Sequence, residues 1–333
     1  RHGRGFAATE AQGGHALLAA ARLQRVDQRD QDARAAGADG VTQGAGAAID
    51  VEPVVRDLEL GHQRHGHHGE RLVHLPQVHV VDLPAGGRQQ LLRAFVTAAA
   101  ELQPDLIFFS QVFFNSGVGI KDLTALVQAL DKITDAMIVV DGYHGFMAVP
   151  TDLSAIAQRV FYLAGSYKYA QGGEGCCFMA VPLGSTERPL YTGWFAEFGT
   201  LAAEKSATVL YSEDGYRFAG ATMDFSALYR LNAVLRLFKQ QGISVGRIHQ
   251  YVQQLQKAFL AKLADLKHAK LNPQSLLKLD LAHHGHFLTF RLGSAAEVAE
   301  LATELKRAGI ETDYRADRLR FGFGLYHNSA QYD

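Results

Sequence analysis

Three short apolar runs constrain this chain more than anything else in it. They are DLIFFSQVFF (Asp105–Phe114), AMIVVDG (Ala136–Gly142) and RVFYLAG (Arg159–Gly165). Runs of this length, closed by a polar or glycine residue, read as strands buried on both faces. Between the first two lies KDLTALVQALDKI, in which Leu123, Leu126, Val127, Leu130 and Ile133 fall on one helical face. Between the second and third, TDLSAIAQ offers Thr151 as the N-cap of a short helix. A fourth run, GCCFMAV, follows from Gly175. Strands alternating with helices imply an α/β chain with a mostly parallel sheet and helices on both faces. In such sheets ligands collect beyond the carboxyl ends of the strands, where Asp141 and Lys168 both fall.

Further along, two long helical patterns, DFSALYRLNAVLRLFKQQG and VGRIHQYVQQLQKAFLAKLADL, precede a change of rhythm. HFLTFRL reads as a strand, EVAELATELKRAG as a helix, and IETDYR and RLRFGF as two more strands. The predicted organisation is a large ligand-binding domain over 96–243 with its flanking helix. A small C-terminal α/β domain over 244–333 follows it, ending early at Asp333.

Residues 1–95 stand apart. No Ser, Asn, Lys, Tyr, Trp, Met or Cys occurs before Ser110, and Phe6 is the sole Phe, Tyr or Trp before Phe95. Ala, Gly, Arg, Gln, His, Val and Asp dominate instead. One reading is a disordered low-complexity arm. The favoured reading is a GC-rich coding region translated out of frame, which produces this alphabet. The lack of an initial Met and the early end give the chain the look of a fragment. His62, His65, His67 and His68 cluster here, but without a carboxylate or cysteine scaffold they are not read as a metal site.

The net charge of −1 argues against nucleic acid or an anionic membrane as the main partner. No apolar run approaches the roughly 20 residues that span a bilayer, and no signal peptide pattern opens the chain. Cys176 and Cys177 read as small core residues on a strand, so a cytoplasmic location is expected.

The charge in GSYKYAQGGEG is unusual. Lys168 lies between two tyrosines, just past a strand and just before Gly172, Gly173 and Gly175. A lysine that attacks carbonyls needs surroundings that disfavour its ammonium form. An acid at a neighbouring strand end, here Asp141, is suited to keeping a pyridine nitrogen protonated. A Schiff-base lysine and an aspartate on the pyridinium form the recurring pair of pyridoxal phosphate enzymes. Gly165, Gly172 and Gly173 allow the backbone to approach such a cofactor. Taken singly, a strand-end aspartate is more often a turn residue, and a lysine in a glycine-rich loop is more often solvated. Order and strand-end placement together favour the pair.

VVDGYHGF and GSYKYAQGGEG resemble the cofactor-binding core of the class V aminotransferases, which are fold-type I pyridoxal phosphate enzymes. The Ser-Tyr-Lys-Tyr run and TGWFAEFG (Thr192–Gly199) are most similar to the kynureninases. The likeness continues through GYRFAGATMDFSALYRLNAVLRLF to LRFGFGLYHNS, covering about residues 100–333. It implies that Lys168 binds the cofactor covalently and that Asp141 bonds its pyridine nitrogen. His144 would orient the ring or its 3-oxygen, and Ser166, Tyr167 and Thr222 would reach the phosphate, Thr222 from a second subunit of a homodimer. Trp194 would line the substrate pocket, and Arg320, ahead of Arg315, would grip the carboxylate of an amino-acid substrate. From the residues alone, Trp194 also suits a core position, and Thr222 competes with Asp224 to cap the following helix. The family's phosphate loop and ring-stacking residue lie upstream of Asp141, where FAATEA near the start is the one faint match. The implied activity is hydrolytic Cβ–Cγ cleavage. A transaminase and an incomplete, inactive relative are the alternatives. A cysteine desulfurase is disfavoured, because no cysteine follows Cys177.

Overall fold

A computed structural model describes residues 51–57, 77–82, 88–120, 122–189, 191–204, 208–220, 222–277 and 281–332, with backbone alone before residue 91. The segments FAATEA and HALLAAARLQRV and the histidines 62, 65, 67 and 68 lie outside the described residues.

Two sheets organise the chain. The larger has six strands in the order β2-β1-β3-β4-β5-β6. Its centre is β3 (Leu106–Ser110), β4 (Met137–Asp141) and β5 (Val160–Gly165), paired in parallel with Ser110 beside Asp141 and Asp141 beside Leu163. β6 (Cys177–Ala180) pairs antiparallel to β5. On the other side β1 (Val51–Asp57) pairs antiparallel to both β3 and β2 (Gln77–Asp82). Sheet pairing therefore reaches into the compositionally distinct segment, and α1 (Arg88–Leu102) runs across its end.

β3 and β4 alternate rather than being buried throughout, whereas β5 is buried at every residue but Leu163. Ile107, Phe109, Ile138 and Val140 are buried, whereas Leu106, Phe108, Met137 and Val139 are half-buried. The buried face packs on Phe95 and Ala99 of α1 and on Leu126 and Leu130 of α2 (Leu123–Asp131). Met137, Val139 and Leu163 face the other way, against Phe161, Cys177, Met179 and Phe218.

α2 forms as its pattern predicts. Leu123, Leu126, Val127 and Leu130 are buried, and the Asp122 carboxylate accepts the Ala125 N–H at its N-terminus. The first apolar run, by contrast, stops being strand at Ser110. Phe113 and Gly117 form a turn there, closed by the Gly117 N–H on the Phe113 carbonyl. The helix expected after Thr151 does not form. Ile156 and Arg159 donate to the carbonyls three residues back, giving successive turns. The Thr151 hydroxyl is committed elsewhere, donating to the Val149 carbonyl and accepting from Gln111 Nε2.

α3 (Ser226–Gln240) lays Ala227 and Leu231 against Ala170 and Cys176, beside the strand ends. α4 (Val245–Leu266) has the predicted bounds. The Ser244 hydroxyl accepts the Arg247 N–H at its start, and Lys267 ends it in the left-handed region. The smaller sheet, ordered β7-β9-β8, is antiparallel: β7 (Phe287–Arg291), β8 (Asp313–Arg315) and β9 (Arg318–Gly322). Its Leu288, Phe290, Leu319 and Phe321 share a core with Val252 and Leu255 of α4 and with Val298 and Ala302 of α5 (Ala295–Arg307). Among the described residues, no helix is long and apolar enough to cross a membrane.

Candidate active site

Parallel pairing brings the ends of β3, β4 and β5 to one edge. Asp141 is the last residue of β4. Its Oδ1 accepts the Tyr143 N–H at 2.8 Å and its Oδ2 accepts the Ser110 hydroxyl at 3.2 Å. The carboxylate is thus fixed from its own turn and from the neighbouring strand. Beyond it the chain turns tightly, with the Gly145 and Phe146 N–H groups on the Gly142 carbonyl, and this turn presents His144.

The loop after β5 presents Lys168. It closes on itself: the Ser166 N–H donates to the Cys176 carbonyl, the Gly172 N–H to the Ser166 carbonyl, and the Ser166 hydroxyl to the Gly173 carbonyl at 2.6 Å. Gln171 and Gly173 take positive φ values of 56° and 69°, the first an uncommon conformation for a residue with a side chain. Gly172 has no room for a Cβ, which would stand 2.9 Å from the Ser166 Cβ and 3.3 Å from the Leu231 Cα. Gly172, together with Gly175, whose Cβ would stand 3.1 Å from the Ala227 Cβ, thus lets α3 press on the lysine loop.

Lys168 Nζ lies 2.8 Å from His144 Nε2 and 3.3 Å from Nδ1. Nε2 is the natural acceptor, which puts the ring proton on Nδ1. Burial, and then the charge of Lys168, pushes the His144 imidazole down to about 2, so it stays neutral at any working pH. The tyrosine rings 143 and 167 flank the amine, their centroids 5.9 and 5.5 Å from Nζ. Burial, and then a hydrogen bond to Cys177, raises the Tyr143 phenol far above its usual range and keeps it protonated.

The small sheet supplies the opposite wall. The Phe287 ring of β7 packs on His144, centroid to centroid 5.3 Å. Arg320 of β9 lies over the same Phe287 ring at 5.6 Å, donates to the Phe114 carbonyl at 2.6 Å and pairs with Asp313. Between the walls is a cleft of about 320 Å³, lined by His144, Tyr169, Phe287, Glu311, Thr312, Asp313, Arg320 and Gly322.

Of the residues singled out by sequence, Lys168, His144, Asp141 and Tyr167 gather at this edge, and Arg320 faces them from the second sheet. Arg315 lies over the Phe114 ring at 5.1 Å. Ser166 is fully buried with its hydroxyl on Gly173, holding the loop closed. Trp194 and Thr222 are joined to each other, Nε1 to Oγ1 at 3.0 Å, and both are exposed. Trp194 is therefore not a core residue. The start of α3 is served by Asp224, which accepts the Ser226 N–H, so Thr222 is not its cap. Sequence reasoning passed over Phe287, Tyr169 and Asp313. Tyr169 stood in the quoted Ser-Tyr-Lys-Tyr run, whereas the other two are located by strand register alone.

Comparison with known proteins gives a consistent picture. No curated protein matches the sequence significantly. Among solved structures, the apo cysteine desulfurase from Thermococcus onnurineus NA1 is similar, with 18% identity and a TM-score of 0.57 over 72% of this chain and 60% of that one. A complex of the cystine C-S lyase C-DES with cysteine persulfide gives 19% identity and a TM-score of 0.59, over 72% and 62%. Alanine–glyoxylate aminotransferase from Nostoc sp. gives 15% and 0.50, over 72% and 62%. The chain spans about three-fifths of the length of these proteins, and at such identities the likeness is one of fold. The profile of one family, "Aminotransferase class-V", matches residues 63–313, beginning inside the compositionally distinct segment. That span is most of the chain, and with it this protein belongs to the class-V aminotransferase family of pyridoxal phosphate enzymes.

Proposed function

We propose that the chain acts on an amino acid as a kynureninase-like hydrolase, cleaving the Cβ–Cγ bond. The observation that carries the reading is the contact of the Lys168 amine with a neutral His144, beside Asp141 and across a cleft from Arg320. This donor set fits pyridoxal phosphate: an amine for its aldehyde, a carboxylate for its pyridine nitrogen and an uncharged imidazole beside them. When bound, the cofactor supplies a sink for the electron pair left at the substrate Cα.

The chain's own residues do the rest. Lys168 holds the cofactor and then accepts the Cα proton at Nζ. His144 Nε2 accepts a hydrogen bond from that amine and aims it. Asp141, held by Ser110 and the Tyr143 N–H, keeps the proton on the pyridine nitrogen. Arg320 receives the substrate α-carboxylate in its planar fork, and Phe287 closes off water behind it. Tyr167 would reach the phosphate and Thr222 would reach that of a second copy, while Ser166 contributes by shaping the loop.

What favours a hydrolase of this kind is the aromatic surface of TGWFAEFG. Phe195, Phe198 and Tyr216 stack on one another, Trp194 packs at a tilt against Phe195 and Phe198, and Trp194 is pinned to Thr222. Such a surface suits an aryl side chain. Its exposure suits service to a second copy, and a homodimer is part of the proposal. Sedimentation of the cofactor-loaded chain should show a dimer; a monomer that holds the cofactor tightly would refute that part.

The central test is borohydride reduction of the chain mixed with pyridoxal phosphate, followed by peptide mapping. The pyridoxyl group is expected on Lys168, and a label on another lysine sinks the assignment. Product analysis then separates a hydrolase, which releases the Cγ fragment as an acid, from a transaminase, which yields a 2-oxo acid.

A further inference from the structure

We propose that Asp313 is a built-in competitor for the substrate carboxylate, occupying the Arg320 guanidinium until a ligand displaces it. This rests on the assignment of Arg320 as the carboxylate-binding residue. It adds a specificity determinant that neither the motifs nor the resemblance contain.

The argument starts from strand register. β9 is the central strand of the small sheet, and Arg320 stands opposite Thr289 of β7 on one side and Asp313 of β8 on the other. Directly opposed residues on paired strands sit close enough for side chains to meet without reaching. The Asp313 carboxylate meets the Arg320 guanidinium in this way, at Nη2. The other terminal nitrogen, Nη1, donates to the Phe114 carbonyl, and the guanidinium lies over the Phe287 ring.

The two partners differ in mobility. The Arg320 side chain is 12% exposed and the Asp313 side chain 63%. Arg320 is held on the Phe114 carbonyl and the Phe287 ring whether or not Asp313 stays. Asp313 can rotate outward and be rehydrated at little cost. Both residues line the same cleft, so the face of Arg320 that Asp313 covers is the face a ligand in that cleft would use. A carboxylate entering the cleft exchanges one charge-assisted pair for another, and only the difference between them appears as affinity. Ligands without an anionic group cannot make this exchange, so they do not gain the Arg320 guanidinium. Taking the upper end of what an ion pair with a solvent-open carboxylate contributes, the bias is about fivefold, and masking an anion site to that degree weakens apparent binding by the same factor.

The test is an NMR titration of the full chain with phenylacetate, and with phenethylamine as a matched ligand lacking the carboxylate. Phenylacetate should bind about fivefold more tightly to Asp313→Asn and to Asp313→Ser than to the unaltered chain. Arg320→Gln should abolish phenylacetate binding in every background. Phenethylamine should gain nothing from either Asp313 change. Equal or weaker phenylacetate binding in both Asp313 variants would overturn the proposal and make Asp313 a brace for Arg320. So would phenylacetate binding that survives Arg320→Gln. These titrations need no cofactor. A pyridoxyl label missing from Lys168 would therefore sink the proposed function while leaving a fivefold gain intact, and the converse result would spare the function.

Discussion

The two walls of the cleft hold their key residues in different ways. Lys168 and His144 sit on loops beyond the ends of parallel strands, outside any ladder. Arg320 sits in the middle of a central strand, its position set by pairing on both sides. The first arrangement depends on turn chemistry: the Ser166 bonds, the left-handed Gln171 and the glycines that let α3 approach. The second depends on register, which a buried face fixes firmly. The Lys168 amine is carried on a loop, and the guanidinium that faces it is carried in a sheet.

The largest effect that would sharpen this contrast is expected at Asp141, where loop and sheet meet. Asp141→Asn preserves an acceptor for the Tyr143 N–H and a partner for Ser110. It cannot hold a pyridinium proton. Turnover should fall about 10²–10³-fold, the usual cost of losing one charge-stabilising group, with melting nearly unchanged. Unaltered turnover would break the role.

Arg320→Lys comes next. The strand and its register remain, but the fork is replaced by a point charge. Losing one charge-assisted hydrogen bond should cost about 10–100-fold in kcat/KM, mainly through KM. A loss confined to kcat would mean that this wall takes part in chemistry rather than in holding the substrate.

The smallest effect concerns the seam between the two regions. His286, just before β7, packs under the Tyr169 ring at 5.0 Å and lies with its Nε2 3.4 Å from His249 Nδ1 of α4. It is 1% exposed, and burial, and then His249, lowers its imidazole from 6.5 to about 3. The unfolded chain then binds a proton that the folded chain refuses. His286 leaves stability intact above pH 6.5 and subtracts from it as the pH falls towards 3. At pH 5 the deficit is about 2 kcal/mol. His286→Phe should remove that share of the acid sensitivity, read as a smaller drop in denaturation midpoint between pH 7 and pH 5. An unchanged drop would place the acid sensitivity elsewhere, with His144 the next residue to examine, since its shift has the same sign.

How far the sequence can be read follows the same division. β4 and β5 are legible as apolar runs closed by Asp141 and Gly165, and α4 is legible at both ends from its periodicity and Ser244. The direction of β6 is not, because GCCFMAV looks the same parallel or antiparallel. The turns after Thr151 mimic a helix in sequence, because a cap residue before apolar positions does not reveal that its hydroxyl is already committed to Gln111 and Val149. Lys168 and Asp141 announce themselves through residue type and strand-end placement. Asp313 does not, since its meeting with Arg320 depends on which residues of two short strands face each other. The low-complexity alphabet of residues 1–95 hides β1 and β2, whose pairing is a property of backbone more than of composition.

The hydrogen bond from Arg320 to the Phe114 carbonyl joins positions 206 residues apart. During synthesis the strands of the large sheet emerge long before that partner does. The lysine loop, closed by contacts within ten residues of itself, can form while the chain is still growing. The cleft cannot, because closing so long a loop is slow and entropically unfavourable until both sheets exist. Ligand-binding competence is therefore among the last properties this polypeptide acquires. A chain interrupted anywhere before β9 would carry the Lys168 amine with no opposing wall to select what meets it.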